Sequence, residues 1–137
     1  MSALDDCRRI EFPVIPNPAG NLAVIEEDRD ALPFRIRRVY YLYGVPPGAR
    51  RGGHAHRREQ QLLIAVAGQL SVVLDDSATR RSERLDTPNL GLYIPTMIWR
   101  ELTDFSPGAV CLVLSSNLYD ASDYVRDYDE FVTMRAQ

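Results

Sequence analysis

A chain of 137 residues, 45% of them hydrophobic, is of one domain's length and carries enough apolar material for a single core, and its formal charge of -3 gives no electrostatic reason to expect nucleic acid. All 16 basic residues are arginine, which excludes Schiff-base lysine chemistry and with it pyridoxal phosphate enzymes. No apolar stretch approaches the ~20 residues of a membrane span, and the N-terminus MSALDDCRRI is too polar for a signal peptide, so a cytoplasmic protein with no membrane partner is expected. The two cysteines, Cys7 and Cys111, lack metal-type spacing and are expected to be reduced thiols, Cys111 in the core.

Along the chain, Ile10 to Ile15 and Leu22 to Glu26 are short β-type runs separated by Pro16-Asn17-Pro18 and Gly20, which predicts two strands and a turn. Arg35 to Tyr43 is the next strand. Its alternation puts Ile36, Arg38, Tyr40 and Leu42 on one face and Arg37, Val39, Tyr41 and Tyr43 on the other. Pro46-Pro47-Gly48 then turns into the stretch from Gly48 to Gly68, which holds both histidines, His54 and His56. Two residues apart on a strand, they share a face. The apolar run from Leu62 to Ala67 closes at Gly68 and is followed by an alternating run, Leu70 to Leu74, so a hairpin is predicted over Leu62 to Asp75. Arg81 to Leu85 reads as a polar edge strand. Leu92 to Ile94, Ile98 to Leu102 and Ala109 to Leu114 follow, the last apolar enough to be buried on both faces. In the tail, Tyr124, Tyr128 and Phe131 fall at i, i+4 and i+7 behind a candidate N-cap, Ser122, predicting one short amphipathic helix. Short strands with Pro/Gly punctuation indicate an all-β antiparallel barrel or sandwich, a single domain over residues 1–137.

The spacing of Gly48, His54, His56, Gln61 and Gly68 resembles the first cupin motif, with glutamine in place of its acidic metal ligand, and this narrows the fold class to an antiparallel cupin-type barrel or jelly roll with a short C-terminal helix. Where the second cupin motif has a histidine five residues after its proline, this chain has Arg100 after Pro95. Arginine does not ligate metals, and its charge opposes a second cation, so no metal and no other cofactor is expected. Two neutral-pH proton carriers on one wall suit a reaction that moves protons between neighbouring atoms. The adjoining Arg50-Arg51-Gly52-Gly53 suits a phosphate, because glycine permits close approach and arginine grips phosphate bidentately.

The pieces RVYYLYG, RGGHAHRREQQ, LDD, DTPNLGLYIPTMIW, DFSPGAVCLVLSS and YDASDYVRDYDEF resemble, in order and spacing, the bacterial nucleotide-sugar 3,4-ketoisomerases over about residues 22 to 131. The resemblance implies a metal-independent isomerase of a dTDP-linked 4-keto-6-deoxy sugar, a homodimer, and a cytoplasmic role in deoxysugar biosynthesis. It places the family's RGxHAH motif on Arg51, Gly52, His54 and His56, its glutamine on Gln61 and its tyrosine on Tyr40, with Arg38 on the same face as Tyr40. One histidine is implied as carbon base, with the other or Tyr40 shuttling the oxygen-bound proton through an enediol. Arg51, Gly52, Arg38 and Gln61 are expected to bind substrate, Arg51 by holding the diphosphate or polarising the oxyanion, and Arg100, which departs from the family pattern, is expected to add positive charge to the same site from another direction. The chain departs from the family pattern at Asn17-Pro18-Ala19-Gly20, which lacks a loop arginine, and at Gly53, Ser77 and Arg100.

Two other readings stay open from the sequence. One is a metal-dependent oxygenase with Glu59 as third ligand beside the histidines. The other is a non-catalytic sugar-nucleotide-binding module.

Overall fold

The computed structural model describes residues 3–27 and 32–137. Two five-stranded antiparallel sheets form, as expected for an all-β barrel or jelly roll. The first has the order β1 (Arg8–Glu11), β9 (Leu90–Ile94), β6 (Gln61–Ala67), β11 (Val110–Ser115), β4 (Arg38–Leu42). The second has the order β12 (Tyr124–Val125), β5 (Arg51–His56), β10 (Trp99–Thr103), β7 (Leu70–Asp75), β8 (Arg80–Leu85). A small β2 (Val14–Ile15) and β3 (Leu22–Ala23) ribbon stands apart. The predicted run from Ile10 to Ile15 is therefore split at Pro13, which has no N–H to continue a ladder.

Inward residues of both sheets share one core. Leu63, Leu92 and Cys111 from the first pack with Val72, Leu74, Leu85 and Leu102 from the second, and Leu4 and Cys7 of the N-terminal segment close it. Each strand has one apolar face at period two, and burying that face against the other sheet is the dominant favourable term. The polar strand β8 lies at an edge, as its composition predicts. The alternation read for β4 also holds. Tyr40 and Leu42 are half-buried against the core, while Val39, Tyr41 and Tyr43 point to solvent.

Two expectations require correction. Leu62 to Asp75 is not a hairpin, because β6 pairs with β9 and β11 whereas β7 pairs with β10 and β8. Gly68, at φ +65°, carries the chain from one sheet to the other. A Cβ there would lie 2.5 Å from Ser106 Oγ and 2.9 Å from Ala109 Cα, so the crossing is packed against the 106–109 turn. The C-terminal helix is α1 (Tyr128–Arg135), capped by Asp127, whose carboxylate accepts from Asp129 N and Glu130 N. Ser122 is not its cap and Tyr124 is not on it. Tyr124 and Val125 are drawn into the sheet opposite His56 and Ala55, so the helix begins only at Tyr128. The helix covers the back of β5, where Phe131 packs with Ala55, Trp99 and Val125.

Candidate active site

β5 carries the chemistry, and a bulge aims it. Its register on β10 slips between Arg100, opposite His54, and Glu101, opposite Gly52, so that Gly53 is the extra residue. Gly52 has φ +82°, and a Cβ there would stand 3.1 Å from Arg100 O and 3.2 Å from Leu102 Cδ1. Only glycine satisfies both the dihedral and the close approach. Beyond the bulge, His54 and His56 point inward with ring centroids 4.8 Å apart, edge to face.

The histidines stand at one end of the barrel interior, beside a pocket of about 70 Å³ lined by Tyr40, Arg51, Gly52, His54, Gln61 and Arg100, with Leu42, Leu63, Leu102 and Val113 as its apolar wall. That is room for about two waters at their liquid volume, the scale of one end of a small ligand and not of a nucleotide. His54 lines this pocket. His56 stands behind it and is fully buried.

Beneath the pocket lies a buried polar layer. Arg100 is 1% exposed; its Nη1 donates to Gln61 Oε1 at 2.7 Å, and its Nε and Nη2 donate to the Ile98 carbonyl at 3.2 and 3.0 Å. Because a guanidinium only donates, Gln61 must present its oxygen to it and its NH2 elsewhere. That NH2 donates to Tyr40 Oη at 3.1 Å and to Glu59 Oε2. Glu59 also accepts from Ser115 Oγ at 2.8 Å and from Arg38 Nη2 at 3.2 Å. Arg38 sits over the rings of Tyr40 and Tyr119.

These surroundings set protonation. Burial, then Arg100, then His56 lower His54 to about 3. Burial, Arg100 and Arg38 push His56 down in the same direction. Both imidazoles are therefore neutral at pH 7 and able to accept a proton. Burial raises the Tyr40 phenol, which keeps its proton and can donate it, its oxygen already accepting from Gln61. Arg100 falls to about 10 through burial and still carries its charge at neutral pH.

The structure thus brings Tyr40, Arg51, Gly52, His54, Gln61 and Arg100 to one pocket, with His56 and Arg38 just behind. Gln61, expected on the substrate, lines the pocket and is also the hub of the buried layer. Sequence reasoning missed Tyr124, whose ring centroid lies 4.9 Å from that of His54 and 4.5 Å from that of His56, with Arg126 4.3 Å over its far side. It also missed Asp123, buried and bonded to His56 Nδ1 at 3.0 Å. A signal was available, three tyrosines and five carboxylates between Tyr119 and Phe131, but helical spacing claimed Tyr124 and left the carboxylates unread.

Glu59, His56 and Asp123 offer ligand atoms within 4.8 Å of one another. A metal there would have to displace Arg38, Gln61 and Ser115 from Glu59 and the amides of Arg58 and Glu59 from Asp123, next to two guanidiniums. The donors do not suit a dication.

The chain is similar to known proteins over most of its length. The family model FdtA, described as WxcM-like, C-terminal, matches residues 5–136. The TDP-4-oxo-6-deoxy-alpha-D-glucose-3,4-oxoisomerase of Aneurinibacillus thermoaerophilus is 41% identical over 122 residues, 89% of this chain and 87% of that protein. QdtA, a sugar 3,4-ketoisomerase of Thermoanaerobacterium thermosaccharolyticum, superposes in its TDP complex with a TM-score of 0.93 at 37% identity, covering 97% of this chain and 96% of that one. A histidine-to-asparagine variant of QdtA holds TDP-4-keto-6-deoxyglucose and superposes with a TM-score of 0.91 at 36% identity, over 94% and 93% of the two chains. The RmlC epimerase of Mycobacterium tuberculosis, 14% identical with a TM-score of 0.76 over 90% of this chain and 70% of that one, shares the fold.

Proposed function

The chain belongs to the WxcM-like, C-terminal family, and from that membership we propose that it is a 3,4-ketoisomerase of a TDP-linked 4-keto-6-deoxyhexose in deoxysugar biosynthesis. The observation that carries the reading is a neutral imidazole, His54, facing a small pocket that also receives a protonated phenol and a buried guanidinium.

In this reading His54 takes the proton from C3, and the electrons form a C3–C4 double bond while O4 gains a proton, giving the enediol. O3 then loses its proton and C4 gains one, leaving the ketone at C3 and the hydroxyl at C4. Carbon C3 is oxidised by as much as C4 is reduced, so no redox cofactor is needed. Tyr40 Oη is placed to serve the oxygens, and His56 supports the transfer from behind His54. The Arg100 charge, held by Gln61, favours the negative charge that builds on oxygen in the transition state. Arg51 lies at the rim, exposed and with no ion pair among the described residues, and takes the diphosphate. Arg38 acts through Glu59 and Tyr40 and not on the sugar directly.

Among the described residues no helix is long and apolar enough to cross a membrane, and two buried thiols suit a reducing cytoplasm. The expected homodimer finds its support on the outer face of the first sheet. There Val39, Tyr41 and Tyr43 are exposed at the β4 edge and Val66 further in on β6, whereas the edge strand β8 is charged. A second copy would cover that face.

The test is turnover of TDP-4-keto-6-deoxyglucose in heavy water. A 3-keto product with deuterium on carbon, formed at the same rate with chelator present, is expected. Tight binding of the nucleotide sugar with no turnover would make the chain a binding module instead. Loss of activity on chelation would restore the oxygenase-type metal reading.

A further inference from the structure

Asp123 lies in a short 3-10 turn, Ala121–Asp123, capped by Asp120, whose side chain accepts from Ser122 N. The turn pushes a carboxylate that is 3% exposed against the end of β5. Everything that touches this carboxylate in the interior donates to it. Arg58 N reaches Oδ1 at 2.6 Å, Glu59 N reaches Oδ2 at 3.3 Å, and His56 Nδ1 stands 3.0 Å from the same Oδ2.

The two amides have no lone pair to offer, so the carboxylate serves there as an acceptor. The imidazole nitrogen that faces it must then be the one bearing the proton. A neutral ring with its proton on Nδ1 leaves Nε2 bare. That nitrogen is buried with no hydrogen-bond partner among the described residues and looks toward Glu59 Oε2, 3.8 Å away. We propose that Asp123 is a positioning residue that locks His56 in its Nδ1–H tautomer and keeps Nε2 free to accept a proton behind His54.

A proton taken up at Nε2 would create an imidazolium between Asp123 on one side and Glu59 on the other. The two carboxylates oppose the burial and the Arg100 and Arg38 charges that otherwise keep the ring neutral. The kinetic consequence rests on the ketoisomerase reading. The tautomer itself does not.

The experiment labels the histidines with 15N and records long-range 1H–15N correlations at neutral pH on the wild-type protein and on Asp123→Asn. In the wild type, His56 Nδ1 should carry the N–H signature and Nε2 the bare, pyridine-type shift. The carboxamide introduced by Asp123→Asn would keep its oxygen on Arg58 N and turn its NH2 to the ring, so the tautomer should reverse. With TDP-4-keto-6-deoxyglucose, kcat of Asp123→Asn should fall about 100-fold or more, while KM and the affinity for TDP change by less than about threefold. A wild-type His56 with its proton on Nε2 overturns the proposal, as does an Asp123→Asn protein with an unchanged tautomer and kcat within about threefold. If the variant does not fold, the wild-type spectrum decides alone. If the wild type turns over no 4-keto sugar, the functional reading fails while the tautomer measurement still judges Asp123.

Discussion

The two ends of the barrel interior are built from the same strands on opposite plans. At the closed end, Leu70, Val72, Leu85 and Leu92 fill the space between the sheets with no polar atom to satisfy. At the open end, Arg100, Gln61, Glu59, Ser115 and Tyr40 occupy equivalent inward positions and bond to one another. The strands cross from one regime to the other within a residue or two. Leu74 pairs with Arg100 across β7 and β10, and Leu63 lies two residues from Gln61 on β6. Burying these polar groups stabilises little by itself, since desolvation offsets most of what their hydrogen bonds contribute. The difference shows which end folding requires and which end the chemistry requires.

Substitutions should separate the two ends. The largest effect is expected at the open end. His54→Asn and His56→Asn should each slow exchange of the C3 proton of TDP-4-keto-6-deoxyglucose with solvent by ~100-fold or more, with melting temperatures close to wild type. Deuterium incorporation followed by mass spectrometry measures this, and full activity in both variants would break the comparison.

The reverse pattern is expected at the closed end. Leu70 is fully buried and pairs with Leu85, and Leu70→Ala should cost about 2–5 kcal/mol in urea unfolding while kcat stays within about twofold. Activity lost in proportion to stability would show that the two ends are one unit.

The third effect depends on pH. His54 is held near 3 when folded and titrates near its ordinary 6.5 when unfolded, so between these values the unfolded chain binds more protons. Stability from this group is complete above about pH 6.5 and is lost as pH falls toward 3, with a slope of up to about 1.4 kcal/mol per pH unit. Urea melts of the wild type and His54→Asn from neutral to about pH 5 should show a shallower acid loss in the variant.

The smallest effect lies away from both ends. Ser77 sits at φ +75° in the β7–β8 turn, a conformation that costs an L-residue about 1–2 kcal/mol. Ser77→Gly should stabilise by roughly 1 kcal/mol without touching kcat, as a thermal melt would show.

Period-two alternation told the inward face from the outward one for β4 and β5, so the chain order alone set His54 beside His56 and Tyr40 beside Arg38. Glycine and proline punctuation separated most strands, and composition put β8 at an edge. What alternation does not encode is the partner. Two consecutive strands joined by a glycine read as a hairpin, yet Gly68 hands the chain from one sheet to the other, because each apolar face is buried better across the barrel than beside its neighbour. The same limit applies to the tail. Local spacing favoured a helix from Tyr124, whereas pairing with His56 and Ala55, more than sixty residues away, took that segment into the sheet and delivered Asp123 and Tyr124 to the histidines. Burial of Glu59 and Arg100 was equally illegible. A charge goes inside only where distant donors and acceptors meet it, and those partners are assembled by the tertiary fold and by nothing local in the chain.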